Sequence, residues 1–184
     1  MHGTKRQAIH LLLGLLFIYL ALSFGRAIAL QAAVVIFIAG SVLSFLILHG
    51  LDIPLINRIL GNVQRQREQG KLPGISAMYF VLGVAITLFV FPLQAAVAGL
   101  MVLTFGDTTA TLAGGRFGRH KTIGERTVEG TAAGIAAAFI ALLFLTTPLN
   151  AAIVACAGML AEYLPIDDSY SIPAVAGLVM LLLI

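Results

Sequence analysis

The chain has 184 residues, 60% of them hydrophobic and only 10% charged, with a net charge of +3. A soluble domain carries roughly 25% charged residues, so the composition excludes a soluble globular protein and predicts an integral membrane one. The small cationic surplus belongs to loops and topology rather than to a nucleic-acid footprint, and the single cysteine, Cys156, excludes an internal disulfide or a cysteine metal site.

The N-terminal stretch MHGTKRQAIHLLLGLLFIYLALSF has the basic start and apolar run of a signal peptide. No small-x-small cleavage site precedes the next apolar run, so a retained span is expected over His10 to Phe24. Further spans are expected over Ala27 to Leu48, Ile75 to Phe91, Leu93 to Ala113, Gly130 to Thr146, Leu149 to Leu164 and Ile172 to Ile184. Crossing a ~30 Å hydrocarbon core takes about 20 helical residues, so the first and last are short. The expected fold is all-α and polytopic, with about seven transmembrane helices in a single membrane-embedded domain, 1–184.

Connections of two kinds alternate. Those at Gly25, Pro92 and Thr147 are tight and nearly uncharged. Those over Gly50 to Pro73, Gly114 to Glu129 and Glu162 to Ser171 are long and charged. Basic residues concentrate on cytoplasmic loops. Lys5, Arg6, Arg58, Arg65, Arg67, Lys71, Arg116, Arg119, Lys121 and Arg126 all fall on one side, and only Arg26 on the other. A cytoplasmic N-terminus in a multi-pass cell-membrane protein is therefore expected. The acids Asp52, Glu68, Asp107, Glu125, Glu129, Glu162, Asp167 and Asp168 follow the same side, which points to a charged cytoplasmic substrate acting at the membrane surface. The segment NRILGNVQRQREQGKLPG reads as a solvated loop near lipid phosphates, or, through Ile59, Leu60 and Val63, as a helix lying on the headgroups.

Four features carry chemistry. Asp107 lies deep in an apolar span, where a carboxylate is costly and normally faces a bundle interior or wet cavity. Thr104, Asp107, Thr108 and Thr111 recur at i, i+3, i+4 and i+7, one face of an α-helix. For the threonines, interhelical hydrogen bonding is the alternative use. The loop GGRFGRHKTIGERTVEG then combines glycines, which let backbone N–H groups approach a ligand, with cations that bind phosphate. It is not a Walker A loop, since Arg119 stands where the second glycine belongs. Glu129 opens the fifth span, where a helix N-terminus favours an acid. Gly130, Ala133, Gly134 and Ala137 suit a close helix contact that would bring Glu129 near Asp107. Finally Glu162 ends the sixth span and Asp167 and Asp168 lie in the following loop, which Pro165 and Pro173 stiffen; carboxylates beside Asp107 and Glu129 suit Mg²⁺, which binds oxygen ligands and substrate phosphates. Carboxylates for a metal and cations for phosphates are what phosphoryl transfer needs.

These residues resemble the CTP-dependent polyprenol kinase family, which includes dolichol kinase, phytol kinase and the yeast-type diacylglycerol kinase. Phosphatidate cytidylyltransferases and archaeal CDP-archaeol synthase are distantly similar. The family core reads G-D-x-x-A-x-x-x-G-x-x-x-G, then K-[ST]-x-E-G-[ST]-x-A-G. Here it is matched by Gly106, Asp107, Ala110, Gly114 and Gly118, then Thr127, Glu129, Gly130, Thr131 and Gly134, within a core region 101–173. Arg6 to His10 resembles the family's N-terminal basic-x-x-x-His element. Arg126 stands where lysine is usual, and Ser169 where asparagine is expected after the paired acids.

The resemblance implies a kinase that transfers the γ-phosphate of CTP to a membrane-embedded isoprenoid alcohol of dolichol or polyprenol type. Diacylglycerol- or phytol-type alcohols, or a CDP-lipid-forming cytidylyltransferase, are the alternatives. It implies Asp107 and Glu129 as catalytic residues and, with Asp167 and Asp168, as Mg²⁺ ligands. Gly114, Arg116, Gly118, Arg119, Lys121, Thr122 and Arg126 would bind the nucleotide phosphates, with Thr108, Thr111, Glu162 and His10 nearby. The partners are CTP, the lipid alcohol and the bilayer, with no nucleic acid; a homo-oligomer is compatible. A transporter is the competing class, but its site normally lies near the midplane, whereas these charges gather at one face. A retinal protein would need a lysine in the last span, which has none.

Overall fold

The computed structural model describes residues 2–50, 74–124 and 126–184, with side chains from residue 6 onward. The basic segment 57–73, together with Asp52, Arg58, Arg65, Arg67, Glu68, Lys71 and Glu125, lies outside the described residues. The described chain is all-helical. Its helices are α1 (His2–Phe24), α2 (Arg26–Leu48), α3 (Ile75–Val90), α4 (Leu93–Phe117), α5 (Val128–Leu142), α6 (Pro148–Leu160) and α7 (Asp168–Leu183). A 3-10 turn, Ala161–Tyr163, comes after α6. Three helices, Arg6–Phe24 within α1, α2 and α4, are long and apolar enough to cross a membrane; α3, α5, α6 with its 3-10 turn, and α7 are shorter apolar helices.

Local chemistry sets the boundaries. Gly25 turns the chain between α1 and α2 with φ 87°, a left-handed value that favours glycine. Thr127 caps α5 by accepting the Gly130 N–H at 3.1 Å, and Thr147 caps α6 with Pro148 in its first turn. The last helix begins earlier than the sequence suggests. Asp167 accepts the Ser169 N–H at 3.0 Å, so the helix starts at Asp168 and Pro173 lies inside it rather than in a loop. Proline has no N–H to give the Ser169 carbonyl. That carbonyl instead lies against Gly83 of α3, where a Cβ would strike it.

The helices run antiparallel in sequence. At one end, Arg26 at the start of α2 donates to the carbonyl of Phe91, just past α3, at 2.8 Å. At the other end, Ser44 of α2 meets Met78 of α3 at 3.6 Å. Gly106 and Gly134 both face Met159, and Gly177 of α7 faces Phe91. Among the described residues, the single basic one at the far end, Arg26, is thus bonded to a backbone carbonyl. The acids and the other cations among the described residues gather at the opposite end.

α4 is the central helix and α2 the peripheral one. Ala95, Ala96, Val97 and Ala98 of α4 are fully buried, and Gly99 admits the Pro173 carbonyl of α7. α4 is not a uniform α-helix, because Val102–Asp107 forms a π segment. This widened turn changes the helical phase of the residues after it, and such segments are frequent at functional sites. The α4–α5 contact is also close. A Cβ on Gly134 would lie 2.7 Å from Met159 and 2.8 Å from the Gly106 carbonyl.

Replacing Gly134 by valine is expected to destabilise the protein by about 1–3 kcal/mol through overpacking. Gly40, inside α2 with nothing near its Cβ position, should gain about 0.5–1 kcal/mol as alanine. Thermal unfolding of the two variants in one detergent measures both.

Candidate active site

The α4–α5 contact opens at its charged end into a cleft of about 520 Å³, within the range of small-molecule sites. Asp107, Ala110, Thr111 and Gly114 of α4 line one wall, and Thr127, Gly130 and Thr131 of the α5 start line another. Glu162, Arg126 and Asp168 complete its polar lining, and Ile123 and Gly124 form the rim.

The threonine stripe expected on α4 is divided. Asp107 and Thr111 face the cleft with Ala110 and Gly114. Thr104 instead packs against Gly14 of α1. Thr108, 5% exposed, does not line the cleft, and neither its hydroxyl nor that of Thr104 has a hydrogen-bond partner among the described residues. The π segment ending at Asp107 puts Thr104 out of phase with the residues after it, while Thr108, in the regular α-helical turns that follow, sits beside the Asp107–Thr111 face rather than on it.

Glu162, though acidic, is 4% exposed. It accepts the hydroxyl of Thr131, which satisfies a group that would otherwise be costly to bury. Tyr163 lies beside it, its phenol oxygen 2.9 Å from the Thr131 hydroxyl. Arg126 donates to Asp168 at 2.6 Å and lies over the Tyr163 ring at 5.9 Å. The two acids of the late loop therefore separate: Asp168 faces the cleft, while Asp167 caps its own helix.

Glu129 does not line the cleft. Its carboxylate accepts the backbone N–H groups of Arg119 and His120 at 3.1 and 3.2 Å and meets His120 Nδ1 at 2.6 Å. One side chain thereby fastens the basic loop to the start of α5. The loop is a tight hairpin. Lys121 bridges Thr127, the Thr122 N–H donates to the Arg126 carbonyl at 2.9 Å, and Gly124 turns at φ 72°. Gly118 packs so closely on the Gly114 carbonyl and Thr127 that no Cβ fits there.

Of the sequence candidates, the fold brings Asp107, Thr111, Gly114, Arg126, Glu162 and Asp168 together. Arg116 stacks on Phe117 at 5.5 Å, and it stands exposed outside the lining with Arg119 and Lys121. Thr122 reaches the site through Tyr163, to which its hydroxyl donates at 3.4 Å. His10 is buried in α1 with its ring 4.8 Å from that of Phe80, away from the cleft. Among the described residues, no three His, Cys, Asp or Glu side chains converge as a ready-made metal cage. Tyr163 was missed, although an aromatic residue directly after an acid at the end of an apolar run is a usable signal.

The chain is 31% identical over 184 residues to the uncharacterized protein MJ1137 of Methanocaldococcus jannaschii, covering 98% of this chain and 93% of that protein. It is 35% identical over 66 residues to the CTP-dependent diacylglycerol kinase 1 of Schizosaccharomyces pombe, which is 36% of this chain and 29% of that protein. No family model matches. No solved structure matches.

Glu129→Ala should free the Arg119 and His120 amides. Their hydrogen exchange is expected to accelerate about tenfold or more, as a lost hydrogen bond to a charged acceptor implies, while amides in the middle of α5 stay protected.

Proposed function

We propose that this chain, which belongs to one family with the M. jannaschii protein MJ1137, is a membrane-embedded CTP-dependent lipid kinase. Its acceptor in this reading is an isoprenoid alcohol of dolichol or polyprenol type. The observation that carries the proposal is the cleft itself. Asp107, Glu162 and Asp168 share it with Arg126 and a glycine-lined wall, the combination that phosphoryl transfer uses for positioning and charge neutralisation. Partial similarity to a CTP-dependent diacylglycerol kinase supports a lipid acceptor and CTP as donor.

The reading extends to the bilayer. All seven helices span or enter it, with the cleft end in the cytoplasm, as the charge bias of the loops favours. α5 and α7 have 15 and 16 residues, about 23 Å at 1.5 Å per residue, against a hydrocarbon core of ~30 Å. The cleft then lies at the depth of the inner leaflet, where a lipid hydroxyl reaches it without leaving the membrane. The exposed apolar faces of α1 and α2, such as Leu12, Val35 and Phe45, contact lipid tails.

In the proposed step the acceptor oxygen attacks the γ-phosphorus, the new O–P bond forms as the bond to CDP breaks, and the hydroxyl proton passes to Asp107. Arg126, fixed by Asp168, meets the triphosphate. The exposed Arg116, Arg119 and Lys121 provide the field that attracts it, and Glu129 holds their loop in place. Mg²⁺ usually binds one or two carboxylates and leaves its other positions to water and phosphate. The cleft acids fit that demand without a complete cage, with Asp168 as the residue that would hold it and Asp107 kept for the proton. When bound, the ion neutralises charge on the phosphates.

The test is incubation of purified protein with γ-labelled CTP and a panel of polyprenol, dolichol, geranylgeraniol and diradylglycerol. Label in a lipid phosphate with CDP release is expected. Pyrophosphate release would instead establish a cytidylyltransferase, and no turnover with any alcohol would sink both. Asp107→Asn should lower kcat by about 10²–10⁴-fold, the usual weight of a positioned acid–base group, with the folded yield retained.

A further inference from the structure

We infer that Tyr163 is a positioning residue that locks the basic hairpin onto the cleft and so sets nucleotide affinity; the inference rests on the kinase reading above. Tyr163 does not line the cleft, yet it touches three groups that bear on it. Its phenol oxygen accepts the Thr122 hydroxyl. Its own proton is then available to Thr131, whose hydroxyl donates to Glu162. The result is a connected polar chain from Thr122 through Tyr163 and Thr131 to Glu162, with the Thr127 carbonyl a second acceptor 3.1 Å from the Thr131 hydroxyl. It joins the hairpin, the 3-10 turn, the start of α5 and the buried carboxylate.

The second contact is with Arg126. The guanidinium lies over the Tyr163 ring while Asp168 holds it at 2.6 Å. A planar guanidinium held on a ring and by a carboxylate is already immobilised before a phosphate arrives. Because the Thr122 N–H also donates to the Arg126 carbonyl, fixing Thr122 fixes the backbone that carries Arg126. One tyrosine thus holds Arg126 twice, through its ring and through the hairpin. Polar chains of this kind act as units, so a break in the middle releases both ends.

The experiment uses the full chain in nanodiscs with Tyr163→Phe, Tyr163→Leu and Thr122→Val. Four readouts are monitored: KM for CTP, kcat, Tm, and the rate of trypsin cleavage within the hairpin. Tyr163→Phe, which keeps the ring, should raise KM for CTP about fivefold, the effect of losing a hydrogen bond. Tyr163→Leu, which also loses the ring, should raise it about 20- to 50-fold. Both should leave kcat within about twofold and speed hairpin cleavage. Adding Thr122→Val to Tyr163→Phe should add little, since both break one chain. An unchanged KM in Tyr163→Leu, or KM and kcat that worsen together with a fall in Tm, overturns the inference. Faster cleavage in Tyr163→Phe of a protein that turns over no CTP would sustain the docking role and overturn the kinase reading. Intact turnover with cleavage and KM unmoved would do the reverse.

Discussion

Gly106, Ala110 and Gly114 of α4 lie against Gly130 and Gly134 of α5 so closely that a methyl added to either α5 glycine would strike the opposite backbone. This contact is the constraint on which the rest of the site depends. In an apolar surrounding, helices gain little from burying apolar side chains against one another, and close backbone approach supplies the packing instead. It sets Asp107 and Thr111 opposite Thr131. Thr131 then recruits Glu162 from the end of α6, and the turn after α6 delivers Tyr163 and Asp168 to Arg126. Each later member of the cleft is held by the one before it.

The polar groups are economical. Buried Glu162 is satisfied by a threonine, and half-buried Glu129 is occupied by two backbone amides and an imidazole. Carboxylates in a greasy chain thus have two separate uses. Glu129 organises the loop from outside the cleft, while Asp107, Asp168 and Glu162 line it. The cations divide in the same way. Arg126 is fixed inside the lining, and Arg116, Arg119 and Lys121 stand outside as a field.

How much of this was legible in the sequence varies from element to element. The helix order, the tight turns at Gly25 and Pro92 and the segregation of charge were readable, because they rest on run length, glycine and proline chemistry and the cost of charge in an apolar medium. The close approach at Gly130 and Gly134 was readable from small residues at helical spacing. The expected site joined Asp107, Glu129, Asp167 and Asp168 with Arg116, Arg119, Lys121 and Arg126; of these Asp107, Asp168 and Arg126 line the cleft, with Gly114 and Glu162, and the others do not. Thr104 was misplaced on the face of Asp107 and Thr111, because a π segment cannot be read from a pattern counted at 3.6 residues per turn. The start of α7 was placed too late, because Pro173 masked the cap that Asp167 makes.

The amino-acid sequence by itself determined an all-helical apolar chain with its ionic groups at one end, since these properties come from local hydropathy and backbone preference. It did not determine which way each ionic group faces. Asp167 and Asp168 are neighbours in sequence, yet one caps a helix and the other pairs with Arg126. Glu129, one residue before the glycine that makes the α4–α5 contact, turns away to the hairpin. Tyr163 acquires its role only because Thr122, 41 residues away, folds back to it. Those choices belong to the tertiary structure, because a side chain's direction is decided by the partner that satisfies it, and that partner lies far along the chain.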